Sequence, residues 1–266
     1  MRRSLPGVFR WLTERRRRRI LEHPFPLRWE AYLQANLAAY HLLDDDERQR
    51  LRELTQVFIA EKHWEGCGGL ALTDEIKVTI AGQACLLILG RSHDLFRGVA
   101  SILVYPSAVV MPPARPLHNQ IVTAPIGDQV VIGAAHRGGP IVLAWDAVQA
   151  GGLDAHDGRN VVLHELAHAI DMLDHRADGT PLLDGAAQRA AWAEVCSQAY
   201  LALRARVDHD EPSLLRAYGA TSEAEFFAVA TEVFFEQPHE LAREEPALYA
   251  LLAGFYNLDL AARARR

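Results

Sequence analysis

The chain has 266 residues, half of them hydrophobic and 23% charged, which excludes a disordered polypeptide and suffices for a sizeable core. No run of 18 residues is free of charge; the nearest approach, Gly98 to Ala114, holds three prolines, so no membrane-spanning helix is expected. The net charge of -6 hides an asymmetry: residues 1 to 19 carry +7, and the remaining body carries -13, which argues against a nucleic-acid binder.

The first nineteen residues lack the apolar segment and small-residue cleavage site of a secretory signal. Three cysteines, Cys67, Cys85 and Cys196, are odd in number and far apart, and form neither a disulfide framework nor a CxxC pair. Both features point to the cytoplasm. The Arg15 to Arg19 run reads as a solvated helical face, with an anionic partner as the competing reading.

In chain order, apolar periodicity predicts helices over Trp29 to Tyr40 and Asp46 to Lys62, and a third opening at Thr73. Thr73 is placed to cap that helix, with Asp74 and Glu75 favourable in its first turn. Short β-rich runs follow at Ile102 to Tyr105, Gln129 to Ile132 and Ile141 to Trp145, with His136 to Gly139 as a hairpin loop between the last two. Helices return near Asn160 to Leu173, Ala186 to Arg204, Glu223 to Glu236 and Pro246 to Asn257. No repeat or low-complexity linker divides residues 1 to 266, so a single α+β domain is expected. It comprises a helical part (1–95), a small mixed sheet (96–150) beside the central motif, and a helical catalytic part (151–266).

That motif is His164-Glu165-Leu166-Ala167-His168, an HExxH. On a helix, residues four apart share a face, so two neutral imidazoles can converge on one Zn²⁺ while Glu165 reaches a water on the metal as general base. The surrounding Val161, Val162, Leu163, Leu166, Ala167 and Ile170 imply burial, and buried His, Glu and His without a shared partner would be costly. A satisfied structural histidine pair is the competing reading.

Catalytic zinc takes three protein ligands and leaves one position open. The metzincin pattern HExxHxxGxxH fails, because Asp171 replaces its glycine and Asp174 its last histidine. If the helix continues, Asp174 turns about 240° from His168, which makes it a weak ligand. A better source is the carboxylate stripe at Glu225, Glu232 and Glu236, whose alternative is a solvated helical face.

The run Tyr218 to Ala228 (YGATSEAEFFA), downstream of HELAH, resembles the Mlc titration factor A family of bacterial zinc peptidases, which is related to the catalytic domain of anthrax lethal factor. Arg16 to Pro26, Trp64 to Glu75, Ile80 to Leu89 and Asn160 to His168 extend the resemblance over nearly the whole chain. It implies a zincin-like fold of gluzincin type, with one zinc per chain on His164, His168 and Glu225. Glu165 is then the base and Tyr218 the phenol that stabilises the oxyanion.

The resemblance also implies aminopeptidase-type activity and a link to the glucose repressor Mlc, and so to the expression of glucose-uptake genes. The alternative function is a non-catalytic binding protein that sequesters an Mlc-like repressor. A peptide or protein substrate is expected, with no membrane and no direct nucleic acid; a DNA-associated factor using the arginine tail is the weakest reading. Two further positions stay open. Either Asp171 or Glu232 could orient a ligating imidazole, and the strand near Pro140 to Trp145 is the expected sheet edge for an added substrate strand.

Overall fold

The computed structural model describes residues 6–111, 120–122, 129–131, 133–136 and 139–263. Helices α1 (Pro6–Leu21), α2 (Leu27–Asn36), α3 (Asp45–Glu61) and α4 (Asp74–Leu86) form the first part of the chain. Helix α3 starts where it does because Asp44 caps it: its Oδ1 accepts from Glu47 N at 2.9 Å, and the Glu47 carboxylate accepts from Asp44 N at 3.1 Å. Thr73 caps α4 as the sequence suggests, accepting from Ile76 N at 3.3 Å. The predicted Trp29 to Tyr40 helix ends early, since Leu37 is extended and a short 3-10 turn, Ala38–Leu42, follows.

Between α3 and α4 lies a strand that periodicity did not reveal, β1 (His63–Gly66), too short and too half-exposed to carry a pattern. The later strands are β2 (Ser101–Tyr105), β3 (Val109–Met111), β4 (Gln120–Val122), β5 (Gln129–Val131), β6 (Gly133–His136) and β7 (Ile141–Ala144). Five of them form a mixed sheet of order β1-β2-β7-β6-β4, with β1, β2 and β7 parallel and β6 antiparallel to both of its neighbours.

Two expectations are corrected here. The hairpin partner of β7 is β6, with Ala135 opposite Ile141, whereas β5 pairs with β3 in a separate antiparallel ribbon. Of the expected hairpin loop, His136 belongs to β6, and Arg137 and Gly138 lie outside the described residues. Nor is Ile141 to Ala144 an edge: it is enclosed by β2 and β6, and all four residues are buried, as a strand covered on both faces requires. The edges are β1 and β4. Trp145 leaves the strand to open α5 (Trp145–Leu153).

The rest is helical: α6 (Val161–Asp171), α7 (Gly185–Asp208), α8 (Glu223–Glu236), α9 (Pro238–Glu244) and α10 (Pro246–Tyr256). The chain is therefore mostly helical with a small mixed sheet, an α+β arrangement. Every residue of α4 from Val78 to Leu86 is buried, and α6 packs against α4, α8, β6 and β7. Leu163, Leu166 and Ile170 on α6 are almost wholly enclosed, each contributing about 1.5–3 kcal/mol by burial. That anchoring fixes what the polar face of α6 presents.

Candidate metal centre

Helix α6 carries HExxH, and its first turn is set by Asn160, whose Oδ1 accepts from Val162 N and Leu163 N, both at 3.1 Å. Asn160 Nδ2 donates to Gly151 O at 3.0 Å, tying the cap to α5. Helix α8 is capped by Ser222, whose hydroxyl accepts from Glu225 N at 3.2 Å. The two helices pack together, and His164, Glu165, His168, Glu225, Glu232 and Glu236 are all buried. The carboxylate stripe on α8 is therefore not a solvated face.

Three side chains meet at one point. His164 Nε2 lies 3.0 Å from Glu225 Oε2 and 3.1 Å from His168 Nε2, and His168 Nε2 lies 3.3 Å from the same carboxylate oxygen. Three donors on a tetrahedral zinc at 2.0–2.1 Å would sit roughly 3.3 Å apart, so the set matches a small cation closely. The tautomer agrees. Glu232 Oε1 accepts from His164 Nδ1 at 2.7 Å, which leaves Nε2 the lone-pair nitrogen once a cation replaces its proton.

Electrostatics point the same way. Burial would lower the pKa of His164, but the Glu232 and Glu225 carboxylates outweigh it and raise the imidazole to about 10. Burial would likewise raise Glu225, yet hydrogen bonds from the two imidazoles hold it at about 2. This enclosed group of carboxylates and imidazoles favours positive charge at its centre, which a divalent cation would supply in place of a proton. The residues present fit a metal ion.

Tyr218 sits in a 3-10 turn, Ala217–Ala220, just ahead of α8, with its ring 6.1 Å from that of His164. Burial, reinforced by the neighbouring Glu225 carboxylate, pushes its ionisation well above the ordinary tyrosine range, so the hydroxyl stays a donor. Glu165 lies one residue along α6 from His164 and is fully buried. It is pressed against β6: a Cβ added to Gly133 would come within 2.5 Å of Glu165 Oε1 and 2.7 Å of Val161 Cγ2.

Asp174 falls outside the cluster, exposed in the 3-10 turn after α6, where its Oδ1 accepts from Arg176 N at 2.9 Å. The open choice between Asp171 and Glu232 resolves to Glu232. Asp171 instead holds the following loop, accepting from Gly179 N at 3.0 Å, while Trp192 Nε1 donates to Gly179 O at 2.9 Å. Gly179 is required there, since its φ is 72° and a Cβ would lie 2.3 Å from Glu223 O.

Sequence reasoning missed Asn160, Gly133 and Arg216. Asn160 bears the ordinary cap signal of an Asn before an apolar helix, but nothing in the sequence shows that its backbone N donates to Glu232 Oε2 at 2.6 Å. Gly133 and Arg216, whose Nη2 donates to Glu232 Oε1, act across the fold and leave no local pattern.

A buried His-Glu-His helix facing a glutamate helix, beside a small sheet, thus forms a candidate metal site, and the family match makes the chain a metallopeptidase by class. The chain belongs to the family described as glucose-regulated metallo-peptidase M90, whose model matches residues 11–257. It is 34% identical over 260 residues to an uncharacterized protein of Synechocystis sp., covering 95% of this chain and 91% of that one. To Mlc titration factor A of Cronobacter sakazakii it is 32% identical, over 90% of this chain and 89% of the relative. To the protein of that name in Serratia proteamaculans it is 34% identical, over 84% and 85%. The family expectation drawn from YGATSEAEFFA and HELAH therefore holds.

Proposed function

We propose that the protein is a zinc-dependent peptidase of gluzincin type, with His164, His168 and Glu225 as the ligands. The observation that carries this reading is the convergence of His164 Nε2, His168 Nε2 and Glu225 Oε2 within 3.0–3.3 Å of one another, with His164 Nδ1 committed to Glu232. A zinc ion held by His164, His168 and Glu225 would supply Lewis-acid chemistry, polarising a peptide carbonyl and acidifying water. Glu165 takes the proton of the attacking water and passes it to the leaving amine, and the Tyr218 hydroxyl donates to the carbonyl oxygen as it gains charge.

Aminopeptidase action on short peptides in the cytoplasm is the substrate class and setting we assign. A screen of chromogenic peptides with free and blocked N-termini tests it: turnover of the free set alone is expected, and hydrolysis of blocked peptides at equal rates would make the enzyme an endopeptidase. A second role is supported by the relatives' name, Mlc titration factor A: binding of an Mlc-like repressor. Both roles coexist if Glu165→Gln abolishes peptide turnover and still binds such a repressor; loss of both activities together would argue against a separate binding function.

A further inference from the structure

We propose that Arg216 is a positioning residue: one guanidinium ties the turn that carries Tyr218 to the carboxylate that orients His164, so that oxyanion donor and metal ligand are aligned as a unit. The inference rests on the zinc-peptidase reading above. Arg216 immediately precedes the 3-10 turn Ala217–Ala220, and its own backbone is extended (φ −61°, ψ 144°). Its Nη2 donates to Glu232 Oε1, the oxygen that also accepts from His164 Nδ1 at 2.7 Å. The other oxygen of Glu232 accepts from Asn160 N at 2.6 Å.

The Glu232 carboxylate is thus clamped by donors from three places: α6, the cap of α6, and the segment leading into the Tyr218 turn. Two clamps belong to the metal-binding helix itself. Only Arg216 brings in the turn. Among the described residues it is also the one arginine or lysine ion-paired to Glu225, Glu232 or Glu236. Its side chain is 29% exposed while that of Glu232 is 2% exposed, so the pair has its cationic end partly solvated and its anionic end enclosed. A surface ion pair would leave both partners interchangeable with water; this one would not. Without the guanidinium, Glu232 loses one of its three donors, and the residue leading into the Tyr218 turn loses its ion pair to α8.

The test uses the full-length protein with Arg216→Ala and Arg216→Lys, each alone and combined with Tyr218→Phe. Zinc affinity is read by competition with a chromophoric chelator, and turnover on the best peptide of the screen. Arg216→Ala is expected to weaken zinc by about 10–100-fold, the range seen when a carboxylate behind a ligating histidine is disturbed. Its kcat should fall by about 10-fold or more with KM little changed, and most of that loss should vanish in the Tyr218→Phe background, because the two residues act as one unit. Arg216→Lys, which keeps the charge, should recover zinc affinity in large part. Should Arg216→Ala fail to fold, Arg216→Lys and Arg216→Gln carry the same comparison.

Wild-type zinc affinity in Arg216→Ala, or an undiminished Arg216 effect on kcat in Tyr218→Phe, would overturn the proposal. A wild-type protein that binds no zinc would instead overturn the underlying peptidase reading. If it binds zinc but cleaves no peptide, the zinc measurements alone decide whether Arg216 holds Glu232.

Discussion

Glu165 and Tyr218 are both close to the cluster without belonging to its donor set, and their chemistry separates them. Glu165→Gln should keep the fold and the zinc while turnover falls by roughly 10²- to 10⁴-fold, since no other carboxylate is placed one helical residue from His164. Tyr218→Phe keeps the ring packing and loses one donor, so kcat should fall by about 10²-fold with KM nearly constant. Steady-state kinetics on zinc-loaded proteins check both; an unchanged rate in Glu165→Gln would remove the proposed base. Glu236 gives a different test. Burial, with a smaller contribution from Asp157, raises its carboxyl from 4.5 to about 8 despite the Arg159 N–H that it accepts. Between those values the folded protein holds a proton that the unfolded chain has released, so stability falls as pH rises through this window and levels off above it. Glu236→Gln should remove that slope and gain, relative to the parent, on the order of a few kcal/mol between pH 5 and 8. Urea unfolding at the two ends of that range measures it, and parallel curves would mean that Glu236 is ionised throughout.

At the scale of elements, α6 is held between the sheet and α8, and β6 limits the space available to Glu165. Gly133→Ala places a methyl group against Glu165 Oε1 and Cγ and against Val161 Cγ2, none of them an atom of the imidazoles. Turnover should drop by about 10²-fold, the cost of displacing a catalytic group by about an ångström, at unchanged zinc content. Full activity in that variant would show that the strand does not position Glu165. The elements differ in how far the sequence announced them. Helix α8 was legible from end to end, the expected Glu223 to Glu236 being its observed span. HExxH was equally plain. Strand β1 was not, since four half-exposed residues carry no alternation, and β-propensity does not tell that the run before β7 divides into β5, which pairs with β3, and β6, which pairs with β7. The partner of His164 was left open between two carboxylates because Asp171 and Glu232 are each compatible by spacing, and only the packing of α8 on α6 decides.

For the molecule as a whole, the charge asymmetry becomes structural at one end. Helix α1 joins the body through Arg17, paired with Glu61 at 2.7 Å and Asp94 at 3.4 Å, and through Arg16, which donates to Ala60 O at 3.2 Å, while Arg15, Arg18 and Arg19 are exposed. No helix among the described residues is long and apolar enough to cross a membrane. The candidate metal centre lies at the opposite extreme of exposure, on the buried His164, His168 and Glu225, so an ion bound there would crosslink α6 and α8 through positions at least 57 residues apart in sequence. Binding at about 1,000 times Kd would add roughly 4 kcal/mol to folding stability, which a chelator would take away. The most direct measurement is the zinc-to-protein ratio after equilibration with excess Zn²⁺ and gel filtration, by elemental analysis of the wild type, His164→Ala, His168→Ala, Glu225→Gln and Asp174→Asn. About one zinc per chain is expected in the wild type and in Asp174→Asn, with loss of the stoichiometric ion in the other three. A wild type without zinc, or a full complement in His164→Ala or His168→Ala, would contradict the account.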